Sequence, residues 1–519
     1  MASYDIAIVG SGFAGSLMAM VAKRLGYSVI LLERGKHPRV TIGESSTPLA
    51  NLLLEELADR YDLPAMRPLS KWGSWQREYP QVACGLKRGF TFYHHQLGCP
   101  DVPDASHANE LLVAASPHDR IADTHWYRAD FDALLVRHAQ EFGVDYVDEV
   151  RVRDVVANED GVRFAVTKSQ IEQVHRAKFL IDATGPRGFL QNEFHLPETA
   201  FECLPETQAL YSHFSGVMRP QPRAWSDPSE AAPYPAEDAA VHHVFDGGWI
   251  WVLRFNNGIT SAGVAATNAA ANRLHLDEGE NAWLRLLDLI PALKEQFATS
   301  RPEQPFRYLP RLSFLSGRVC GERWAMLPSA AGFVDPLLST GFPLTLLGIA
   351  RLARTLESGV ESPTFSSDLH AYALKTVDEL YVTARLIAAL YANMNNFAVF
   401  TALCLLYFAA ASYSETARRL NKPHLAPSFL LYDHPTFGQA SRELLERSMH
   451  VLPGSETTRL IEDIHRAIEP FDVAGLTRSN RRNWYPVDAA DLLGAASKVE
   501  STQHEIQLLL KRCGFHPPR

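Results

Sequence analysis

The sequence predicts an α/β protein in which a nucleotide-binding domain is interleaved with a mixed β-sheet domain and followed by an α-helical region. Three observations predict it. A glycine-punctuated strand–turn–helix–strand opens the chain, β-like runs separated by turns fill residues 190–310, and a long apolar stretch of helical pattern follows residue 360. At 519 residues, more than one domain is expected.

The first element is YDIAIVG, a short β-rich run, and SGFAGSLMAMVAKRLG after it has helical periodicity with Gly26 at its end. The turn between them holds Gly10, Gly12 and Gly15 in the spacing G-x-G-x-x-G. Missing side chains there let a pyrophosphate approach backbone N–H groups at the positive end of the helix, where Phe13 and Ala14 lie. The next run, YSVILLERG, reads as a second strand ending on Glu33, eighteen residues beyond Gly15, about where a carboxylate accepts hydrogen bonds from ribose hydroxyls. Together these elements predict a Rossmann-like dinucleotide site.

Composition narrows the function classes. A net charge of −9 and a pI near 6.1 give no concentrated basic surface, so no nucleic-acid or anionic-membrane partner is expected. The six cysteines are widely scattered, without the close pairs that a zinc or dithiol site requires; no metal is expected, and reduced thiols in a cytoplasmic setting fit. The first strand begins almost at Met1, leaving no room for a secretory signal ahead of it. The run FAVFTALCLLYFAAASY is 17 residues long, just under spanning length, and reads as a buried helix of a C-terminal bundle, not a membrane span.

Four further motifs, in order, carry a resemblance to the flavin-dependent halogenases and their flavoprotein-monooxygenase relatives. VTIGESSTP (40–48) resembles their I-G-E-S segment, and the resemblance assigns Glu44 and Ser45 to the cofactor site. WYRADFDALLVRHAQEFGVDY resembles their R-x-x-F-D-x-x-L-L helix, with Arg128 near the flavin. FLIDATGPRGFL resembles the D-A-T-G turn that closes over the dinucleotide, giving Asp182 and Gly185. LPSAAGFVDPLLSTGFPLTLLGIARLA resembles the last flavin-contacting segment. The resemblance covers roughly the first 355 residues and implies FAD as cofactor.

Physical chemistry supports the last of these assignments. Asp335 and Pro336 shape a turn, and Ser339, Thr340, Gly341 and Phe342 then offer main-chain donors ahead of an apolar helix with a proline in its first turn. Such donors suit a flavin ring or a small anion beside it, so Ser339, Thr340 and Gly341 are also the expected halide site.

Lys87, in ACGLKRGFTFYHH, resembles the family's catalytic lysine. The resemblance implies that a flavin hydroperoxide, formed from FADH2 and O2, oxidises chloride or bromide to hypohalous acid, which a tunnel delivers to this lysine. A lysine desolvated at a tunnel end and able to donate a proton suits that task, whereas an exposed edge-strand lysine is the bland alternative. GWIWVLRF resembles the W-x-W-x-I-P signature, with Trp249 and Trp251 sharing one strand face, either to screen the flavin from organic substrate or as a pair of core tryptophans. Leu253 and Arg254 replace Ile-Pro there, predicting a tunnel wall of altered shape and charge. Leu338 stands where tryptophan halogenases have a glutamate, which argues against indole chemistry and toward phenols or pyrroles. Pro328 and Ser329 replace a usual Gly-Asp, which puts a ribityl hydrogen bond in question.

The expected organisation is an FAD-binding domain over 1–355, with an interleaved substrate sheet at about 75–120 and 190–310, and a helical domain over 356–519. The expected activity is two-component halogenation of an electron-rich aromatic or carrier-protein-bound substrate. No second glycine motif follows a strand, so no built-in nicotinamide domain is expected, and the resemblance implies a separate NAD(P)H flavin reductase. A monooxygenase inserting oxygen directly and a non-catalytic flavin-binding scaffold are the alternatives.

Overall fold

Ala2–Val9 is the strand around which the first sheet assembles, because its residues Ile6 to Val9 are buried and apolar on both faces. It lies parallel to Val29–Leu32 on one side and to Ile171–Asp182 on the other; Asp145–Val147 and Trp324–Met326 continue the parallel set outward. The helix Phe13–Arg24 connects the first two strands, as the glycine motif predicts. The computed structural model describes residues 2–100, 106–220, 231–450 and 454–515; residues 101–105 and 221–230 of the two expected insert segments lie outside the described residues.

A second sheet of nine strands is mainly antiparallel and runs in the order Arg301–Pro302, Thr207–Ser215, Ile259–Thr267, Gly248–Arg254, Ala240–Phe245, Gly89–His94, Glu110–Ala114 and Trp484–Tyr485, with Arg307–Leu309 also on Thr207–Ser215. Both expected insert segments therefore contribute to one sheet. The last strand is a departure from expectation: the C-terminal region is not purely helical, since Trp484–Tyr485 pairs in parallel with Glu110–Ala114 at the sheet edge.

Strand alternation places Trp249, Trp251 and Leu253 in the main core, whereas Ile250 and Val252 face a smaller core under the helices Asn268–Leu274, Glu280–Leu289 and Pro291–Phe297. The main core is continuous from the first sheet to the C-terminal helices Phe365–Ala392 and Phe397–Arg419. Phe397–Arg419 is long and apolar enough to cross a membrane, but its apolar window is 83% buried within the protein, as a bundle helix would be.

Lys87 belongs to neither large sheet. Cys84–Lys87 pairs antiparallel with Asp123–Trp126 in a separate two-stranded ribbon, with Lys87 opposite Asp123 and Cys84 opposite Trp126. The segment Glu44–Ser46 runs along the ribbon's outer strand, with Trp126 N donating to Glu44 O at 2.6 Å and Ser46 N to Thr124 O at 3.2 Å. On the other side an added Cβ at Gly85 would meet Arg254 O at 2.1 Å, so the ribbon is pressed against the second sheet.

Candidate active site

Each glycine of the opening turn is required for a different reason. Gly10 has φ +99° and an added Cβ would meet the Ala183 backbone at 2.7 Å; at Gly15 it would lie 1.8 Å from Gly10 O. At Gly12 an added Cβ would make only ordinary contacts, with Arg128 Nη2 at 3.5 Å and with Arg39 Nη2 and Asp132 Oδ2 at 3.6 Å. The helix starting at Phe13 and Ala14 aims its unpaired N–H groups at the same space. Arg39 Nε is buried there without a partner among the described residues, and Gly185, at φ +84°, has nothing within 4 Å of an added Cβ. A cradle with two guanidinium groups fits the diphosphate of FAD.

Glu33 stands at the end of the second strand and receives Ser11 N and Ser11 Oγ on Oε2, both at 2.9 Å, and Gly35 N on Oε1 at 2.9 Å. Burial opposes its ionisation, but these donors and Arg39 hold the carboxyl below its ordinary range. Oε1 keeps an acceptor position for a ribose hydroxyl. Arg128 is fixed by a bidentate pair with Asp132, both contacts 2.8 Å, and by Gly43 O at 3.0 Å.

Three expected cofactor residues are employed differently. The Asp182 carboxylate accepts Thr184 N, Thr184 Oγ1 and Leu190 N at 2.6–2.9 Å, so it ties its own turn together and leaves Gly185 as the open position. Glu44 points to the second sheet, where His213 Nε2 donates to it at 2.7 Å. Burial would lower the His213 imidazole, but the Glu44 carboxylate overcomes this and raises it. Ser45 presents its hydroxyl to Lys87 instead of to the glycine turn.

At the second turn, Leu338 and Ser339 adopt left-handed backbone, φ +63° and +56°, rare for residues with side chains. Asp335 holds this shape: it accepts Leu337 N at 2.9 Å and Tyr391 Oη at 2.9 Å, and Trp249 Nε1 donates to Tyr391 Oη at 3.2 Å. Burial pushes the Asp335 carboxyl up to about 7. Ser339 N is already committed to Pro336 O at 3.1 Å, which corrects its expected role as a main-chain donor. The first-turn amides of Gly341 and Phe342 have no intrahelical acceptor, and Gly341 is exposed with nothing within 4 Å of an added Cβ. The Phe342 ring stacks on Trp126 at 4.3 Å and meets Phe13 edge-on at 5.0 Å, so this turn, the glycine turn and the ribbon share one aromatic cluster.

Trp249 and Trp251 lie on one strand face with ring centres 5.6 Å apart, as alternation predicts. The charge of Arg254 does not fall on the tryptophan face. Arg254 leaves that face, paired with Glu237 at 2.9 Å and bonded to Val217 O and Met218 O, so only Leu253 differs on the tryptophan side.

Lys87 is fully buried, which excludes the edge-strand alternative. Its Nζ donates to Ser45 Oγ at 2.9 Å and to Ser46 O, and lies 3.8 Å from the Phe90 ring centre. Desolvation pulls the ammonium down to about 7 against the opposing charge of Asp123. Burial and the nearby ammonium keep His125 and His242 neutral, both lowered to about 3. Phe90, Thr47 and Lys71 all line a cavity of about 780 Å³ bounded by Pro48–Arg60, Phe397–Arg419 and the C-terminal segment, including Tyr485 and Leu510. The cavity, its C-terminal wall and the Asp335–Tyr391–Trp249 chain have no local sequence signal, because long-range packing creates them.

Comparison with known proteins agrees with this arrangement. An FAD binding domain profile matches residues 5–211, and the tryptophan halogenase profile matches residues 121–395, over half of the chain. Monodechloroaminopyrrolnitrin halogenase PrnC of Pseudomonas fluorescens is 30% identical over 386 residues, 71% of this chain and 64% of the relative. Tetracycline 7-halogenase of Kitasatospora aureofaciens is 28% identical over 378 residues, 71% of this chain and 66% of the relative. The match thus spans just under two thirds of those relatives. A crystal structure of halogenase PltM in complex with phloroglucinol and FAD has the same fold, with a TM-score of 0.78 and 23% identity, covering 92% of this chain and 99% of that one. From the profile match over more than half its length, joined to the FAD-shaped cradle, the chain belongs to the tryptophan halogenase family.

Proposed function

We propose that the protein is a two-component, flavin-dependent halogenase acting on an electron-rich aromatic of phenol or pyrrole type, free or tethered to a carrier protein. The observation that carries this reading is the placement of Lys87, buried and hydrogen-bonded behind the wall of a cavity large enough for such a ring. When bound, FAD reduced by a separate NAD(P)H reductase supplies the electrons that activate O2 for oxidation of chloride or bromide.

The chain's own residues do the rest. Arg128, Arg39 and the amides after Gly12 hold the diphosphate, Glu33 holds the ribose, and the amides of Gly341 and Phe342 face the ring or a halide beside it. Trp249 and Trp251 keep organic substrate away from that region. Lys87 receives hypohalous acid: its ammonium gives a proton to the departing hydroxyl, the halogen bonds to a ring carbon, water leaves, and the ring carbon releases its own proton. Arg254, which replaces the family's proline, is paired with Glu237 on the face away from Trp249 and Trp251.

The test is a mass-spectrometric product screen with reductase, NADH, O2 and either chloride or bromide. Halogenase activity predicts a product whose mass and isotope pattern follow the halide supplied. A product carrying added oxygen and formed without halide would replace this reading with a hydroxylase.

A further inference from the structure

Behind Lys87 lies a second charged group that the reading above leaves without a task. Asp123 is directly opposite Lys87 on the antiparallel ribbon and is 1% exposed. Opposed residues of such a ladder share a face, with Cβ atoms about 4.5–5.5 Å apart. Its Oδ1 accepts Asn51 Nδ2 at 2.7 Å, and Asn51 Oδ1 accepts Ser46 Oγ at 2.6 Å; Ser46 O in turn receives the Lys87 ammonium. Oδ2 is buried without a hydrogen-bond partner among the described residues. Lys71, on the cavity wall, reaches Oδ1 from the other side at 3.8 Å.

A buried carboxylate with one free oxygen is costly unless a cation repays it. Three kinds of group surround this pair. The ribbon supplies Asp123 and neutral His125, the neighbouring sheet supplies neutral His242, and Lys71 and the helix residue Glu415 act on Asp123 from the cavity side. Among these, Asp123 is the group that favours a charged Lys87; burial pushes the Asp123 carboxyl up, and Lys71 opposes this by favouring its charged form.

We propose that Asp123 is a positioning residue that keeps the proton on Lys87, and that Lys71, at the cavity wall, adjusts how strongly it does so. The inference rests on Lys87 being the halogen-delivering group. The Asn51–Ser46 bridge fixes Asp123 and the ammonium in one frame, so the carboxylate acts through charge and without touching the substrate. Lys71 lines the cavity, so an arriving substrate's oxyanion or carboxylate would draw away the cation that favours the charged form of Asp123.

The experiment is a pH titration of the Lys87 side-chain resonance in full-length, FAD-loaded protein labelled at lysine with ¹³C, assigned by Lys87→Arg. Asp123→Asn is expected to lower the proton affinity of Lys87 by about tenfold or more, and Asp123→Glu to restore most of it. Lys71→Met is expected to move it in the same direction by a smaller amount, because it removes a cation that favours the charged carboxylate, and this arm decides if Asp123→Asn does not fold. An unchanged titration in folded Asp123→Asn, or in Lys71→Met, overturns the proposal. Because no turnover is measured, the result stands apart from the halide test of the activity itself. In a halogenating enzyme, the alkaline limb of the product-formation pH profile should shift to lower pH in Asp123→Asn and recover in Asp123→Glu.

Discussion

Lys87 Nζ rests 3.8 Å from the centre of the Phe90 ring, and the same ring lines the 780 Å³ cavity. That ring therefore belongs both to the lysine's surroundings and to the cavity wall. Lys87→Ala should lower halogenated product by about 10²- to 10⁴-fold, the usual worth of a proton-donating or positioning group. Flavin binding and reoxidation should stay near wild type, because the glycine turn and the Gly341 turn are untouched. Stopped-flow flavin reoxidation beside product quantification checks both; near-normal product yield would remove Lys87 from its role.

The three glycines of the first turn should respond differently to substitution. At Gly12 a Cβ meets only side-chain ends at ordinary contact distance, so Gly12→Val should fold, yet lose FAD because the side chain fills the diphosphate space. Gly15→Ala places a Cβ 1.8 Å from Gly10 O and should reduce soluble, folded protein itself. Thermal melts and bound-flavin absorbance separate the two effects. Full flavin absorbance in folded Gly12→Val would relocate the site.

Gly341→Leu meets nothing within 4 Å of its first side-chain atom, so the melting temperature of the flavin-free protein should hardly change. Flavin and halide affinity should both weaken. Fluorescence titration with FAD, with and without bromide, reads this directly, and unchanged affinities would place the ligand elsewhere.

The carboxyl of Asp335 is raised from 3.8 to about 7 by burial. Between those values the native protein keeps a proton that the unfolded chain releases. This group's contribution to stability is therefore complete below about pH 4 and is lost as pH rises through 7. Asp335→Asn should flatten that part of the stability–pH curve, compared by denaturant unfolding at pH 5 and pH 8. Tyr391→Phe removes a donor to the same carboxylate and should cost about 1–3 kcal/mol.

Much of the fold was legible because it rests on local pattern. The glycine spacing gave the first turn, period-two alternation put Trp249 and Trp251 on one face, and the apolar run after Asn396 gave its helix. The site was legible only in part. Glu44 and Ser45 are consecutive, yet one reaches His213 and the other Lys87, a division set by how the ribbon packs, not by any spacing. Asp182 carries a family motif, but whether its oxygens face a ligand or their own turn depends on where Leu190 N falls. Asp123 and Tyr391 became meaningful only once distant strands and helices closed over them.

The short ribbon has one more consequence. Its Cys84–Trp126 end joins the aromatic cluster at the dinucleotide turns, and its Lys87–Asp123 end lies behind the cavity wall at Phe90 and Lys71, three residue steps or about 10 Å away. It works as a gauge block between the two chambers. Inserting one residue would lengthen the gap and also turn the lysine to the opposite face. The far cavity wall is built from another part of the chain, so it is free of this constraint. If the proposed activity holds, such a layout would let the pocket be recut for new aromatic rings while the interval between the flavin turns and the ammonium stays fixed.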